Sequence, residues 1–158
     1  YESPSPGAGS FQDVEIDAAG RIFISGGVGL VRSSDDGFSA VSVTSGLSDI
    51  QIWDIEMSSD GTTLFAHHRN GVQQSSSSPI GSSWSSPTGL EDASFSSFAG
   101  RMGASSDGNI IFVDNQNNKV YSKTTGAASW TKRSNLAADF LCVAARNGNS
   151  FFVGSEQG

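Results

Sequence analysis

Two adjacent carboxylates, Asp35 and Asp36, stand in the stretch SSDDGFSA at 33–40. Such a pair could bind a hard cation or divide acid and base roles. A dedicated calcium loop needs a fuller acidic set than this. The neighbouring glycine and serines point instead to a turn braced by aspartate hydrogen bonds. His67 and His68 are the two histidines of the chain. Neighbours in a strand point to opposite faces, so one metal ion would not take both, and loop polarity at the surface is expected. Cys142, in FLCVAAR, reads as a small buried apolar group. Sixteen Asp and Glu could supply a pair for glycoside hydrolysis, but no spacing singles one out. Phosphate-cradling glycine loops, nucleophile elbows and zinc quartets are missing from the sequence, so no cofactor and no metal is expected.

Composition narrows the partners. A formal charge of −7 and a pI near 4.5 oppose binding to a phosphate backbone, and the nine Lys and Arg are scattered. Nucleic acid is therefore excluded as an expected partner. Apolar runs stop well short of the ~18 residues that span a bilayer, so no helical membrane insertion is expected. Charged residues make up only 16% of the chain while glycine occurs 19 times, which suits a β-protein dense in turns. Beginning at Tyr1, the chain reads as a piece of a larger chain or assembly.

The elements that must position any site come from a repeat. Segments starting at Asp13, Asp54, Met102 and Leu141 align as a strand, a turn ending in glycine and a more apolar strand. The glycines are Gly20, Gly61, Gly108 and Gly148, and Phe23, Phe65, Phe112 and Phe152 keep nearly the same spacing. Each segment is expected to be a hairpin closed by a type I′ turn. Third runs follow at 29–33, 71–75 and 119–123, and weaker fourth runs at 38–44, 84–89 and 130–134. Four antiparallel strands repeated in this way predict an all-β fold, a β-propeller of four-stranded antiparallel blades. Blades are expected at about 12–50, 51–96 and 97–138, with a last blade at 139–158 completed by 1–11. The whole is about four blades or a fragment of a larger ring.

SSDDGFSA resembles the Asp-box turn, S-x-D-x-G-x-[ST]-W, of BNR-repeat β-propellers: sialidases, sortilin-type receptors and photosystem II assembly factors. Ser33, Asp35, Gly37 and Ser39 match, with Ala40 replacing the tryptophan. A second copy keeps Ser77, Gly81, Ser83 and Trp84, with Pro79 at the aspartate position. A third keeps Ser122, Gly126, Ser129 and Trp130, with Thr124 there. A fourth, at the N-terminus, has Ser5 and ends at Phe11. The resemblance implies structural braces between third and fourth strands, on the face opposite the ligand pocket.

Ligand-binding residues are accordingly expected on the opposite loops: His67, His68, Arg69, Asn70, Asp114, Asn115, Gln116, Asn117 and Glu156, with Trp53 near the start of an inner strand. Trp53 alternates with Ile55 and Met57 and should share their buried face. Sialidase chemistry needs an arginine cluster and an activated tyrosine. Tyr1 and Tyr121 are the two tyrosines, Tyr121 lies on an outer strand, and the arginine motif has no match. The expected role is a non-catalytic recognition or scaffold module, binding protein or glycan at an extracellular, cell-surface or virion surface. The alternatives are part of a sialidase-like glycoside hydrolase, or an assembly factor of the photosystem II type.

Overall fold

The computed structural model describes residues 10–27, 29–95, 100–114, 116–135, 140–147 and 150–155. The turn at 17–20 shows how one repeat is made. Gly20 N–H donates to the Asp17 carbonyl, and Asp17 Oδ1 accepts the N–H groups of Ala19 and Arg21. The same closing bonds recur at Ser58–Gly61 and Ser105–Gly108. In all three only the fourth residue, Gly20, Gly61 or Gly108, takes a positive φ. A type I′ turn needs positive φ at both central residues. The expectation is corrected: these hairpins turn with ordinary φ and then escape through one left-handed glycine. Gly148 lies outside the described residues.

The first sheet runs β1 (Phe11–Ile16), β2 (Ile22–Gly26), β3 (Gly29–Ser33) and β4 (Val41–Ser42), each antiparallel to the next. The second holds β5 (Ile52–Met57), β6 (Leu64–His68) and β7 (Gly71–Ser75), with a two-residue bridge from Gln74 to Ser85 in place of a fourth strand. The third holds β8 (Gly100–Ala104), β9 (Asn109–Asp114), β10 (Lys119–Thr124) and β11 (Thr131–Asn135). The fourth pairs β12 (Phe140–Asn147) with β13 (Ser150–Ser155). The expected outer half of this fourth blade fell mostly on residues 1–9, outside the described residues. Phe11, expected to end it, instead opens β1 and pairs with Gly26.

The sheets stand side by side, with inner strands β1, β5, β8 and β12 in succession. Three apolar junctions bind them. Phe23, Leu30 and Val43 meet Ile55, Met57, Leu64 and Ala66; Phe65 and Val72 meet Met102, Ile110 and Phe112; Ile111, Val113 and Val120 meet Val143, Ala145, Phe151 and Val153. The residues that close the hairpins, Arg21, Thr63 and Asn109, fix the repeat register. They put Ile111, not Phe112, in the place of Phe23 and Phe65. Phe112 therefore faces back towards the second sheet, one residue out of step with the phenylalanine spacing. A bulge between Ile52 and Asp54 also takes Trp53 off the face of Ile55 and Met57. Trp53 is still buried, edge-on to His67.

Candidate functional site

The turn at 33–40 forms as a brace. Ser33 Oγ donates to Asp35 Oδ1 and accepts Gly37 N–H, while Asp35 accepts the Ser39 amide and hydroxyl. The Ser39 hydroxyl, then its amide and the Ser33 hydroxyl, hold the Asp35 carboxyl below its ordinary pKa. Three of its roughly four acceptor sites are taken inside the turn, which leaves little for a cation. In the second sheet the equivalent bonds start two residues earlier than the sequence alignment placed them. Ser75 Oγ accepts Gly81 N–H and Ser77 Oγ accepts Ser83 N–H, so Ser77 does the work of Asp35. Ser78 and Pro79, joined by a cis peptide, lengthen the loop. In the third sheet Lys123, not Ser122, pairs with Ile110 in the register of Ser33 and Ser75. Its ammonium donates to the Thr124 and Thr125 carbonyls, and Ser122 accepts from Arg133 Nε. Gly126 occupies the turn closed by Ala127 N–H on the Thr124 carbonyl. Trp84 and Trp130 staple neighbouring sheets: Trp84 Nε1 donates to the Val43 carbonyl, and Trp130 sits against Phe65 and Phe112.

The loops expected to bind ligand gather pairwise. Asn70 Nδ2 donates to the Ser48 carbonyl, and Asn117 Nδ2 and Lys119 Nζ reach the Asp92 carbonyl. Interblade loops 45–49 and 85–95 thus lie against the hairpin loops that follow. Several expected ligand residues are consumed in holding them. His68 is fully buried: its Nδ1 accepts Asn70 N–H, so its Nε2–H donates to Gln73 Oε1. Gln73 Oε1 also accepts Ser48 N–H, and its Nε2 donates to the Gly46 carbonyl. Burial lowers the His68 pKa. His67 is equally buried, among the rings of Trp53, Phe95 and Phe112, and burial pushes its pKa down to about 3. The expectation of surface histidines is overturned, because both side chains are needed to fill space between a strand end and the adjoining loops. Asp114 is also buried, accepting the backbone N–H groups of Ser94, Gln116 and Asn117. Arg69, Asn70, Gln116 and Asn117 are exposed, with Gln116 accepting from Ser94 Oγ. Asn115 and Glu156 lie outside the described residues.

Beside these loops a groove of about 290 Å³ separates β7 from the long connection. Asn70, Gln73, Ser86, Thr88 and Glu91 contribute polar groups, while Val72, Pro87, Leu90 and half-buried Phe95 make most of its lining apolar. Of the expected ligand residues that are described, only Asn70 lines it. Its remaining walls come from the long connection, whose serine and proline content had marked it only as a loop.

A second polar array lies between the inner strands. Asp13 Oδ2 accepts Ile55 N–H, Asp54 Oδ2 accepts Met102 N–H and Glu56 Oε1 accepts Ala104 N–H. Glu15 makes the matching bond to Met57. Burial, reinforced by Glu56 and Asp13, raises Glu15 to about 7; burial raises Glu56 to about 7. Asp54 is pushed well above its ordinary value, by burial first and then by Asp13. Sequence reasoning missed this ladder, though the D-x-E pattern in DVEI and DIEM was its signal. Arg101 and Gly103 interrupt the pattern in the third sheet.

Tyr121 is buried, and burial raises its hydroxyl to about 12. Cys142 is exposed, contrary to the expectation of a buried thiol, because it lies on the open side of the fourth sheet.

No protein-family model matches the sequence, and no curated protein matches it. Solved structures do. The extracellular domain of a putative hybrid two-component system from B. thetaiotaomicron aligns over 98% of this chain and 20% of its own, at 20% identity and TM-score 0.66. Streptogramin B lyase aligns over 94% and 49%, at 16% identity and TM-score 0.68. The GH74 enzyme of Niastella koreensis aligns over 86% and 19%, at 13% identity and TM-score 0.62.

The chain has a β-propeller fold. Its antiparallel sheets are propeller blades, first to fourth in chain order, and among the described residues they form an open arc. The chain spans about a fifth of the length of the extracellular domain it matches. At these identities the likeness concerns the fold alone. None of the described residues forms a helix long and apolar enough to cross a membrane.

Proposed function

We propose that this arc is a non-catalytic recognition module that binds a glycan through the groove between Asn70 and Phe95, at an extracellular surface. The observation that carries the reading is the groove's lining: the exposed Asn70 amide, the Ser86 and Thr88 hydroxyls and the Glu91 carboxylate set around an apolar floor that includes the Phe95 ring, the combination that suits hydrogen bonding and stacking to a hydroxylated ligand. The carboxylates with the largest upward shifts are engaged with backbone N–H groups of the next blade, which favours a structural role for them over acid catalysis. The turn braced by Ser33 and Asp35 is the clearest Asp-box feature, and we assign the chain to that class of propeller on this geometry. An extracellular setting is supported by the extracellular domain among its structural neighbours.

Glycan-array binding by the 158-residue chain, followed by calorimetry on the best hit, tests the reading. Phe95→Ala and Asn70→Ala should each weaken binding about tenfold, the loss of one stacking or hydrogen-bonding contact of about 1.4 kcal/mol. Binding that both variants leave unchanged would place the ligand elsewhere.

A second reading, part of a glycoside hydrolase propeller, draws support from Asp54 and Glu56, two carboxylates held proton-loving by burial. Turnover of a fluorogenic sialoside or of xyloglucan, lost in Glu56→Gln, would favour it. A protein-binding scaffold, including one like the photosystem II assembly factors, becomes the better account if pull-down recovers a partner that Asn70→Ala releases while no glycan binds.

A further inference from the structure

The groove beside β7 is a missing piece of strand. Strand register aligns Ser75 with Ser33 and Gln74 with Arg32, so Val72 is the counterpart of Leu30. On the outer side Arg32 pairs with Val41 and Gln74 with Ser85, which makes Pro87 the counterpart of Val43. In the first blade Val43 N–H donates to the Leu30 carbonyl at 3.0 Å, and in the third β11 covers the same position by pairing Ser134 with Val120. Proline has no N–H to give. The second blade's outer strand therefore stops at Ser85 and turns towards the third blade, where Thr88 N–H donates to the Ala128 carbonyl and the Thr88 carbonyl accepts Trp130 N–H. The groove opens in the fork between β7 and residues 86–88.

That fork leaves one pair of main-chain groups facing the groove. Gln74 exchanges both of its outward bonds with Ser85, and residues two apart in a strand turn their backbone groups to the same side. Val72 thus points its N–H and carbonyl outward, and neither meets a hydrogen-bond partner among the described residues. The opening is one residue wide, since at its other end Asn70 N–H is taken by His68 Nδ1. An added peptide strand draws its stability from successive pairs, which this edge does not offer. It matches a single amide. The surfaces around it divide by chemistry. Val72 and Leu90 are 3% and 7% exposed and, with Pro87 and Phe95, make the apolar floor. Glu91 is the one charged residue of the lining, and Gly89 N–H on its carboxylate favours the ionised form. A fixed negative charge there opposes acidic sugars.

We propose that the groove takes an uncharged N-acetylated amino sugar, whose acetamido N–H donates to the Val72 carbonyl while its methyl lies on the floor of Leu90 and Phe95. The inference rests on the reading of this groove as a glycan site and names the sugar class it selects. Val72 N–H and the Ser86 and Thr88 hydroxyls are left for the hydroxyls of the ring. A sugar with a plain hydroxyl in place of the acetamido group can still bond the carbonyl, but it brings no methyl to the floor.

Calorimetry with chitotetraose, a tetramer of N-acetylglucosamine, and with cellotetraose, the glucose tetramer of the same linkage, tests the proposal. The acetylated tetramer should bind about fivefold more tightly, and its addition should shift the Val72 amide signal in NMR spectra. Pro87→Val restores an N–H where Val43 has one. That variant should melt no lower than wild type and lose the preference between the tetramers, because its own strand then fills the fork. Equal affinity for the two tetramers, or a preference that Pro87→Val keeps, overturns the inference and leaves the glycan reading standing. So does tightest array binding to a sialylated glycan or to one without an acetamido group. A Val72 amide that stays still while chitotetraose binds overturns it whatever the variant does. An array on which no glycan binds removes the glycan reading and this inference with it.

Discussion

Between the inner strands, each carboxylate of the ladder gains a backbone N–H from the next blade and loses much of its water. The N–H favours the charged form and desolvation the neutral one, and desolvation wins for Glu15, Asp54 and Glu56. A folded-state pKa above the unfolded value means stability that is fully present below about pH 4.5 and is lost as pH rises through about 7. Asp35 and Asp60 work in the opposite sense, since hydrogen bonds lower them and their support fades only as pH falls below the ordinary aspartate range. His67 and His68 act against the raised carboxylates, since burial lowers both and costs stability as pH falls below about 6.5; the three carboxylates outnumber them, so the chain should still weaken from pH 5 towards pH 8. Glu15→Gln with Glu56→Gln should flatten the decline, raising Tm at pH 8 by roughly 3 °C and leaving it nearly unchanged at pH 5. Thermal melts across that range decide it; a wild-type Tm that climbs from pH 5 to 8 contradicts it. Two glycines give a matched comparison. Gly61 and Gly108 occupy one turn position with φ near 67° and 78°, but an added Cβ at Gly61 would lie 2.5 Å from Ala18 N, whereas at Gly108 it meets nothing within 4 Å. Gly108→Ala should cost the left-handed strain alone, about 1 kcal/mol. Gly61→Ala should cost clearly more, because the first and second blades must also separate. Urea midpoints for the pair measure the difference.

At the level of elements, the hairpins and third strands were legible because alternation, turn glycines and β-branched residues all point the same way. The inner half of each blade needed no structure to be seen. The outer strands were less legible, since β4 shrinks to Val41–Ser42 and the second blade keeps only a bridge at Ser85. Register was the hardest part. Phenylalanine spacing placed Phe112 beside Phe65, but only the hairpin hydrogen bonds show the one-residue slip that turns it to the opposite face. Likewise a serine-rich stretch could not reveal that Ser75 and Ser77, rather than Ser77 and Pro79, brace the second turn. The histidines were misplaced for a related reason: a strand end is exposed only if no loop folds over it, and loop 45–49 does so through Gln73 and Asn70. The tryptophans that close these turns, Trp84 and Trp130, lie between neighbouring blades. Trp84 fills the space against Leu47 and the first junction and donates to the Val43 carbonyl. Trp84→Ala should destabilise by about 3 kcal/mol, and Trp84→Phe by about 1 kcal/mol, the hydrogen bond alone. Equal losses in chemical unfolding would mean that the indole's bulk contributes nothing there.

For the molecule as a whole, stability should be graded along the arc, because blades contact only their neighbours and the middle two have neighbours on both sides. Repeat arrays of this kind approximate a sum of unit and junction terms, so a unit with one junction opens more readily than a unit with two. The second blade combines complete burial of β6 with two apolar junctions and the carboxylate bonds at Ile55 and Met102. Among the described residues the fourth has two strands and one junction, and the first exposes one side of β1. Native-state hydrogen exchange should accordingly show the slowest amides in β6 and β9 and faster exchange in β13 and β1, under conditions where the chain is monomeric. The repeat makes this a sharp test, since residues in the same register differ only in their place along the arc. Phe65 and Phe152 form one such pair. If their amides exchange at the same rate in the monomer, junctions do not set local stability and the nearest-neighbour picture fails.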